Sequence, residues 1–227
     1  RIGRARRRRA LPARQVEPVA QVGLPGGGHG RVRIDPEAPA LERVDSIPMR
    51  IALVSGSLRA NSTNAAMLSA AAKLAVADCD CYFVDIEPVP HFNPDLDTEE
   101  PPAAVSAFRA QLAAADGVVF STPEYVHSMP GALKDALDWL VSSAELYEKP
   151  VILLNPSPNA GQRGQRALLH TLTIMTASVL EEASLMEPFV PRRMDEDALL
   201  SDPAVRQRLQ AAMDALAAAI SRRTSAS

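Results

Sequence analysis

Short, wholly apolar runs, each released through a loop into a stretch of helical period, constrain this chain more than any other feature. Arg50–Ser55 (R-I-A-L-V-S), Gly117–Ser121 (G-V-V-F-S) and Pro150–Asn155 (P-V-I-L-L-N) are too short for helices and do not alternate polar with apolar. A strand reads this way when both of its faces are buried. Cys81–Ile86 and residues 184–190 are expected as two more strands. Helical stretches are expected over about 62–77, 101–114, 131–142 and 164–180, the last through Leu168, Leu172, Met175 and Val179. Ser201 or Asp202 caps a final helix with Pro203 in its first turn, and Val205, Leu209, Met213, Leu216 and Ile220 form its apolar stripe. Such alternation builds βαβ units: a doubly wound α/β fold, with a five-stranded parallel sheet and helices on both faces. Sheets of this kind bind ligands beyond the carboxyl ends of their strands, where strand order switches. The loops after the first, third and fourth strands are therefore where function is expected.

Composition narrows the class further. The chain is 47% apolar but only 4% aromatic, so its core is built from Ala, Leu, Val and Ile. No run of eighteen apolar residues is present, which argues against a membrane-spanning helix. The first residues lack the short apolar core of a secretory signal. Cys79 and Cys81 lie two apart on an expected strand, hence on one face, with no third ligand for a metal. They read as small buried or half-buried apolar residues in a reducing cytosol.

The net charge of −3 conceals two unequal regions. Residues 1–48 hold ten Arg against five acidic residues, whereas residues 49–227 hold fourteen Lys or Arg against twenty-two Asp or Glu. The first region opens with Arg1, Arg4 and Arg6–Arg9, continues through Gly26–Gly28 and six prolines, and has no apolar period. It is expected to be disordered. Its Arg run suits nucleic acid or an anionic membrane, a targeting peptide, or a solvated tail of upstream sequence read in frame. The last is favoured, because Met49 stands immediately before the first strand and suits a start. Residues 49–227, net acidic, are expected to form the functional domain and to avoid nucleic acid.

The first loop, Ser55–Asn64, reads S-G-S-L-R-A-N-S-T-N and leads into a helix. A helix N-terminus offers free N–H groups and a partial positive charge, which suit a phosphate. Gly56 permits a tight turn near a ligand. Ser57, Ser62, Thr63 and Asn64 are short polar side chains around the same point, and Arg59 adds a charged fork. Ser62 also reads as a simple helix cap. No Gly-Lys-Ser/Thr or G-x-G-x-x-G pattern is present, so a phosphate monoester fits better than a nucleoside triphosphate.

The third loop, Thr122–Gly131, reads T-P-E-Y-V-H-S-M-P-G. Pro123 and Pro130 stiffen its ends. Tyr125 offers a planar face and Met129 a soft one, and the extended main chain between them suits the edge of a heterocycle. His127 without a nucleophile elbow argues against a hydrolase, and reads as a pocket residue. Glu124 reads equally as a structural acceptor. Trp139 is expected in the core or at a subunit interface.

Together, G-S-L-R-A-N-S-T-N (Gly56–Asn64) and P-E-Y-V-H-S-M-P-G-A-L-K-D-A-L-D-W-L (Pro123–Leu140) resemble the NAD(P)H-dependent FMN reductase family, which has a flavodoxin-like fold and includes quinone, azo-dye and chromate reductases. The resemblance spans roughly residues 49–190. It implies FMN as cofactor and NAD(P)H as electron donor. Hydride would pass to bound FMN, then electrons to a small acceptor: a quinone, free flavin, azo or nitro compound, or metal oxyanion. It implies that Ser57, Arg59, Ser62, Thr63 and Asn64 hold the FMN phosphate. Pro123, Glu124, Tyr125 and Val126 would line the ring, largely through main chain, and Ser157 in N-P-S-P-N-A-G (Asn155–Gly161) would close the other side. It also implies a homodimer or homotetramer. A non-enzymatic flavodoxin that passes single electrons is the alternative. This chain departs from the family pattern in three places, one being that the loop after the fourth strand has fewer glycines than in many members. Val126 and His127 stand where many members have Asn-Gly, and Asp135 replaces an Asn, expected on the solvent side.

Overall fold

The computed structural model describes residues 48–226. Five parallel strands are present: β1 (Met49–Ser55), β2 (Cys79–Val84), β3 (Gly117–Ser121), β4 (Pro150–Leu154) and β5 (Ser178–Val179), in the spatial order β2-β1-β3-β4-β5. The expectation for residues 1–48 concerns a segment that lies, apart from Pro48, outside the described residues.

Two apolar layers enclose the sheet, because β1, β3 and β4 send alternate side chains to opposite faces. Ile51, Leu53, Val119, Ile152 and Leu154 meet Met67 and Leu68 of α1 (Thr63–Lys73) and the stripe Val205, Leu209, Met213, Leu216 and Ile220 of α6 (Pro203–Ala226). Ala52, Val54, Val118, Phe120, Val151 and Leu153 meet α2 (Ala103–Ala113), α3 (Gly131–Asp138) and α4 (Gln162–Ile174). The apolar strands are thus buried on both faces, as their sequences require. Asp202 caps α6 as expected, its Oδ1 accepting from the N–H groups of Ala204 at 3.0 Å and Val205 at 3.1 Å. A short α5 (Glu196–Ser201), capped by Asp195, precedes it.

The fifth strand differs from expectation. It begins at Ser178, inside the stretch expected to be helical, and α4 stops at Ile174. β-Branched Thr171, Thr173, Ile174 and Thr176 weaken the helix there, and Thr176 takes φ 59° as the chain turns toward β4. The edge is then interrupted. Ser184 supplies its hydroxyl in place of a backbone acceptor, receiving the Leu153 N–H at 3.0 Å. Only at Leu185 does the ladder resume, as one parallel bridge to Leu154. Of the strand expected over 184–190, that bridge is what forms.

Buried polar groups pin the remaining loops. Trp139 is fully buried in the core, its Nε1 donating to the Pro90 carbonyl at 2.8 Å and its ring meeting Phe92 edge-on at 5.1 Å. Asp135 is not simply on the solvent side: its carboxylate accepts from His91 Nδ1 at 2.8 Å and the Phe92 N–H at 3.4 Å, fastening the segment after β2. Cys79 and Cys81 are unpaired and half-buried, and burial pushes the Cys81 thiol up to about 11.

Lys149 is buried beneath the carboxyl end of α2, where its Nζ donates to the carbonyls of Leu112 and Ala113. It satisfies acceptors that the helix leaves open and complements the dipole. Burial lowers its pKa to about 8. A lysine so depressed binds fewer protons folded than unfolded between about pH 8 and its ordinary value, so its contribution to stability rises with pH there. The stability difference between the wild type and Lys149→Met, read from urea unfolding, should shift in favour of the wild type by on the order of 1–2 kcal/mol from pH 7.5 to 9.5. A difference independent of pH would contradict the assignment.

Candidate functional site

The three expected loops converge on one cleft at the carboxyl edge, where strand order switches between β1 and β3. It encloses about 230 Å³ and is lined by Ser57, Arg59, Ser62, Thr63 and Asn64 after β1, by Thr122–Tyr125 after β3, by Asn155, Pro156, Ser157, Ala160 and Gly161 after β4, and by Arg193. Wider hollows of about 530 and 690 Å³ run along α6, but no loop leaving β1, β3 or β4 lines them.

Gly56 joins two of these loops. Its N–H donates to the Ser121 carbonyl at 2.9 Å, and a Cβ there would lie 2.3 Å from Thr122 Oγ1. The glycine is required by this crossing of chains rather than by a positive φ. Ser62 is the N-cap of α1, its hydroxyl accepting from the Asn64 and Ala65 N–H groups at 3.2 and 3.4 Å. Two helix donors are thereby spent. The N–H groups of Leu58, Ala60, Asn61 and Thr63 have no acceptor among the described residues. Asn64 is only 5% exposed, and Ser121 Oγ lies 3.0 Å from its Oδ1. The Arg59 side chain has no partner among the described residues.

On the opposite wall, Glu124 is a structural acceptor. Its Oε2 receives the N–H groups of Arg163 at 2.9 Å and Gly164 at 3.1 Å. It thereby caps α4, whose own N-cap is Gly161, at φ 100° and without a side chain. Tyr125 is half exposed, while Met129 has turned into the core. Val126 is 100% exposed and lies outside the cleft lining, which leaves only its main chain to meet a ring. Tyr125 and Ser128 exchange backbone hydrogen bonds of 2.9 and 3.0 Å around Val126 (φ 50°) and His127 (φ 62°). Both central residues are left-handed, the signature of a two-residue turn that favours Asn-Gly. His127 likewise lies outside the cleft, against Arg163.

Asn155 and Arg193 were missed by sequence reasoning. Buried Asn155 shapes the loop after β4: its Oδ1 accepts the Ser157 N–H at 3.0 Å, and its Nδ2 donates to the carbonyls of Ala160 and Met186 at 3.0 and 2.9 Å. An Asn closing a buried strand and followed by Pro-Ser was a usable signal for such a turn. Arg193 carried none, since only the fold brings it to the cleft. Ser157 lines the cleft, but its hydroxyl already accepts from the Ala160 N–H at 3.1 Å.

Comparison with known proteins places the chain in a family. The model for NADPH-dependent FMN reductases matches residues 49–191, so the chain belongs to that family. It is an oxidoreductase that takes FMN as cofactor and NAD(P)H as electron donor. An NAD(P)H-dependent FMN reductase of Pseudomonas aeruginosa is 35% identical over 169 residues, covering 72% of this chain and 90% of the relative. The quinone reductase of Escherichia coli K12 is 33% identical over 153 residues, covering 65% and 81%. Among solved structures, the flavoenzyme NAD(P)H:(acceptor) oxidoreductase FerB from Paracoccus denitrificans superposes with a TM-score of 0.68 at 25% identity, covering 77% of this chain and 98% of that one. A WrbA-like flavodoxin from Agrobacterium tumefaciens, at 17% identity and a TM-score of 0.51, shares the flavodoxin-like fold.

The turn at Val126–His127 yields a stability prediction. A left-handed non-glycine residue costs about 1–2 kcal/mol, and a β-branched one is the worst placed. Replacing the pair with Asn-Gly should raise stability by about 1–3 kcal/mol and the apo-protein Tm by several degrees. A lowered Tm would show that the side chains make compensating contacts.

Proposed function

We propose that the cleft binds FMN with its phosphate at the start of α1 and its ring toward Tyr125, and that the enzyme passes two electrons from NAD(P)H to a small acceptor, a quinone first among them. The observation that carries this reading is one open cleft shared by the loops after β1, β3 and β4, with orphan N–H donors and Arg59 at one end and a half-exposed tyrosine at the other.

The residues fit a phosphate monoester. Thr63 N–H and the Arg59 side chain are donors without partners among the described residues at a helix N-terminus, and Asn64 lines the same cleft. Ser62 holds the helix start in place, and Ser57 and Thr63 add hydroxyls. Thr122, Pro123, Glu124 and Tyr125 would meet the ring through main chain, with Glu124 fixing the wall by capping α4. Ser157 would close the far side. FMN, when bound, supplies a ring that takes hydride and gives electrons onward. Such chemistry would need no acid or nucleophile from the protein.

The cleft, at about 230 Å³, is smaller than the roughly 300–1,000 Å³ typical of a ligand pocket. A flavin there would keep part of its surface in solvent, leaving room for donor and acceptor to use the site in turn. Flat acceptors suit such an open face, and several relatives are named quinone reductases. A homodimer or homotetramer and a cytoplasmic location complete the reading, with residues 49–227 as the functional domain. Unpaired Cys79 and Cys81 suit a reducing compartment. Among the described residues no helix is long and apolar enough to cross a membrane.

Anaerobic addition of NADPH to the FMN-loaded protein should bleach its visible absorbance, and benzoquinone should restore it. Persistent colour would refute the donor step, and bleaching without recovery would refute the acceptor. Arg59→Ala should weaken FMN binding about tenfold, since a charged hydrogen bond contributes about 1.5–3 kcal/mol and exposure favours the lower end. Unchanged affinity would remove Arg59 from the phosphate site.

A further inference from the structure

We propose that Arg193 is a second cation for the FMN phosphate, acting beside Arg59; the assignment rests on the FMN reading above. Arg193 lies between β5 and α5, just past residue 191, where the family match ends. It nevertheless lines the same cleft as Arg59, Thr63 and Asn64. It also lines an adjoining cavity of about 570 Å³ over the first turns of α1. It is therefore placed where the phosphate end of the cleft opens to solvent.

The charges around it are already committed. Asp195 caps α5, accepting the Ala198 N–H at 2.9 Å. Glu196 is paired with Lys73. Glu124, the one carboxylate in the cleft lining among the described residues, is held by the start of α4. Arg193 has no hydrogen bond or ion pair among the described residues. The Thr63 N–H, which has no acceptor among the described residues, opens α1 in the same lining, an independent sign that this end awaits an acceptor. A phosphate monoester carries about −1.5 to −2 at neutral pH. Arg59 alone leaves much of that charge unmatched, and Arg193 supplies the remainder.

Titration of FMN and of riboflavin into the apo-protein, followed by quenching of flavin fluorescence, tests this. In about 50 mM salt, Arg193→Ala should raise the Kd for FMN about five- to tenfold and change that for riboflavin less than twofold. Arg193→Lys should recover most of the loss. In about 500 mM salt the FMN effect should shrink, because the guanidinium is exposed and screened. Equal weakening of FMN and riboflavin would make the role one of shape and overturn the assignment. So would an unchanged FMN Kd, including one accompanied by a raised KM for NADPH but not NADH. Failure of the wild type to bind FMN at all would overturn the FMN reading itself, and this assignment with it.

Discussion

Ser121 is the junction on which the site depends. It closes β3, the central strand, with no exposed surface. Its carbonyl accepts the Gly56 N–H, which fixes the loop after β1. Its hydroxyl lies 3.0 Å from Asn64 Oδ1 and 2.9 Å from the Leu154 carbonyl, tying the start of α1 and the end of β4 to the same atom. Three loops that are far apart in sequence thus leave the sheet from a single fastened point. A buried polar group linked in this way positions strongly, because losing a partner strands the rest without solvent.

The cleft follows from that junction and from topology. Reversal of strand order between β1 and β3 opens a crevice that neither α1 nor α3 can fill. The chain then uses polar residues there for two jobs. Ser62, Glu124 and Asn155 satisfy backbone groups and make the loops rigid. Among the described residues, the Arg59 and Arg193 side chains and several N–H groups remain without partners. A preformed wall with unspent donors binds an anion without first paying to order itself.

Much of this was legible in the sequence because the strands are short and buried on both faces, a pattern with few other meanings. The cleft residues after β1 were legible because a Gly/Ser turn entering a helix carries its own physics. Other parts were not. β5 is two residues long and lies where helical spacing persists, so a local period misread it. The Val126–His127 turn lacks the Asn-Gly signal that normally marks it. The cap Glu124 gives α4 spans 39 residues to Arg163, and Arg193 reaches the cleft only through the path from β5 to α5; spacing cannot encode either. Gly56 was read as room for a ligand, whereas Thr122 is the neighbour that excludes a side chain.

The central claim is that the turn leaving β1 holds a phosphate while a flat ring rests by Tyr125. A crystal of the protein grown with FMN tests it most directly. The account predicts phosphate density within hydrogen-bonding distance of the Thr63 N–H and the Asn64 side chain, with the ring between Tyr125 and the loop bearing Ser157. FMN seated elsewhere, or a saturated crystal in which this cleft holds only water, would contradict it.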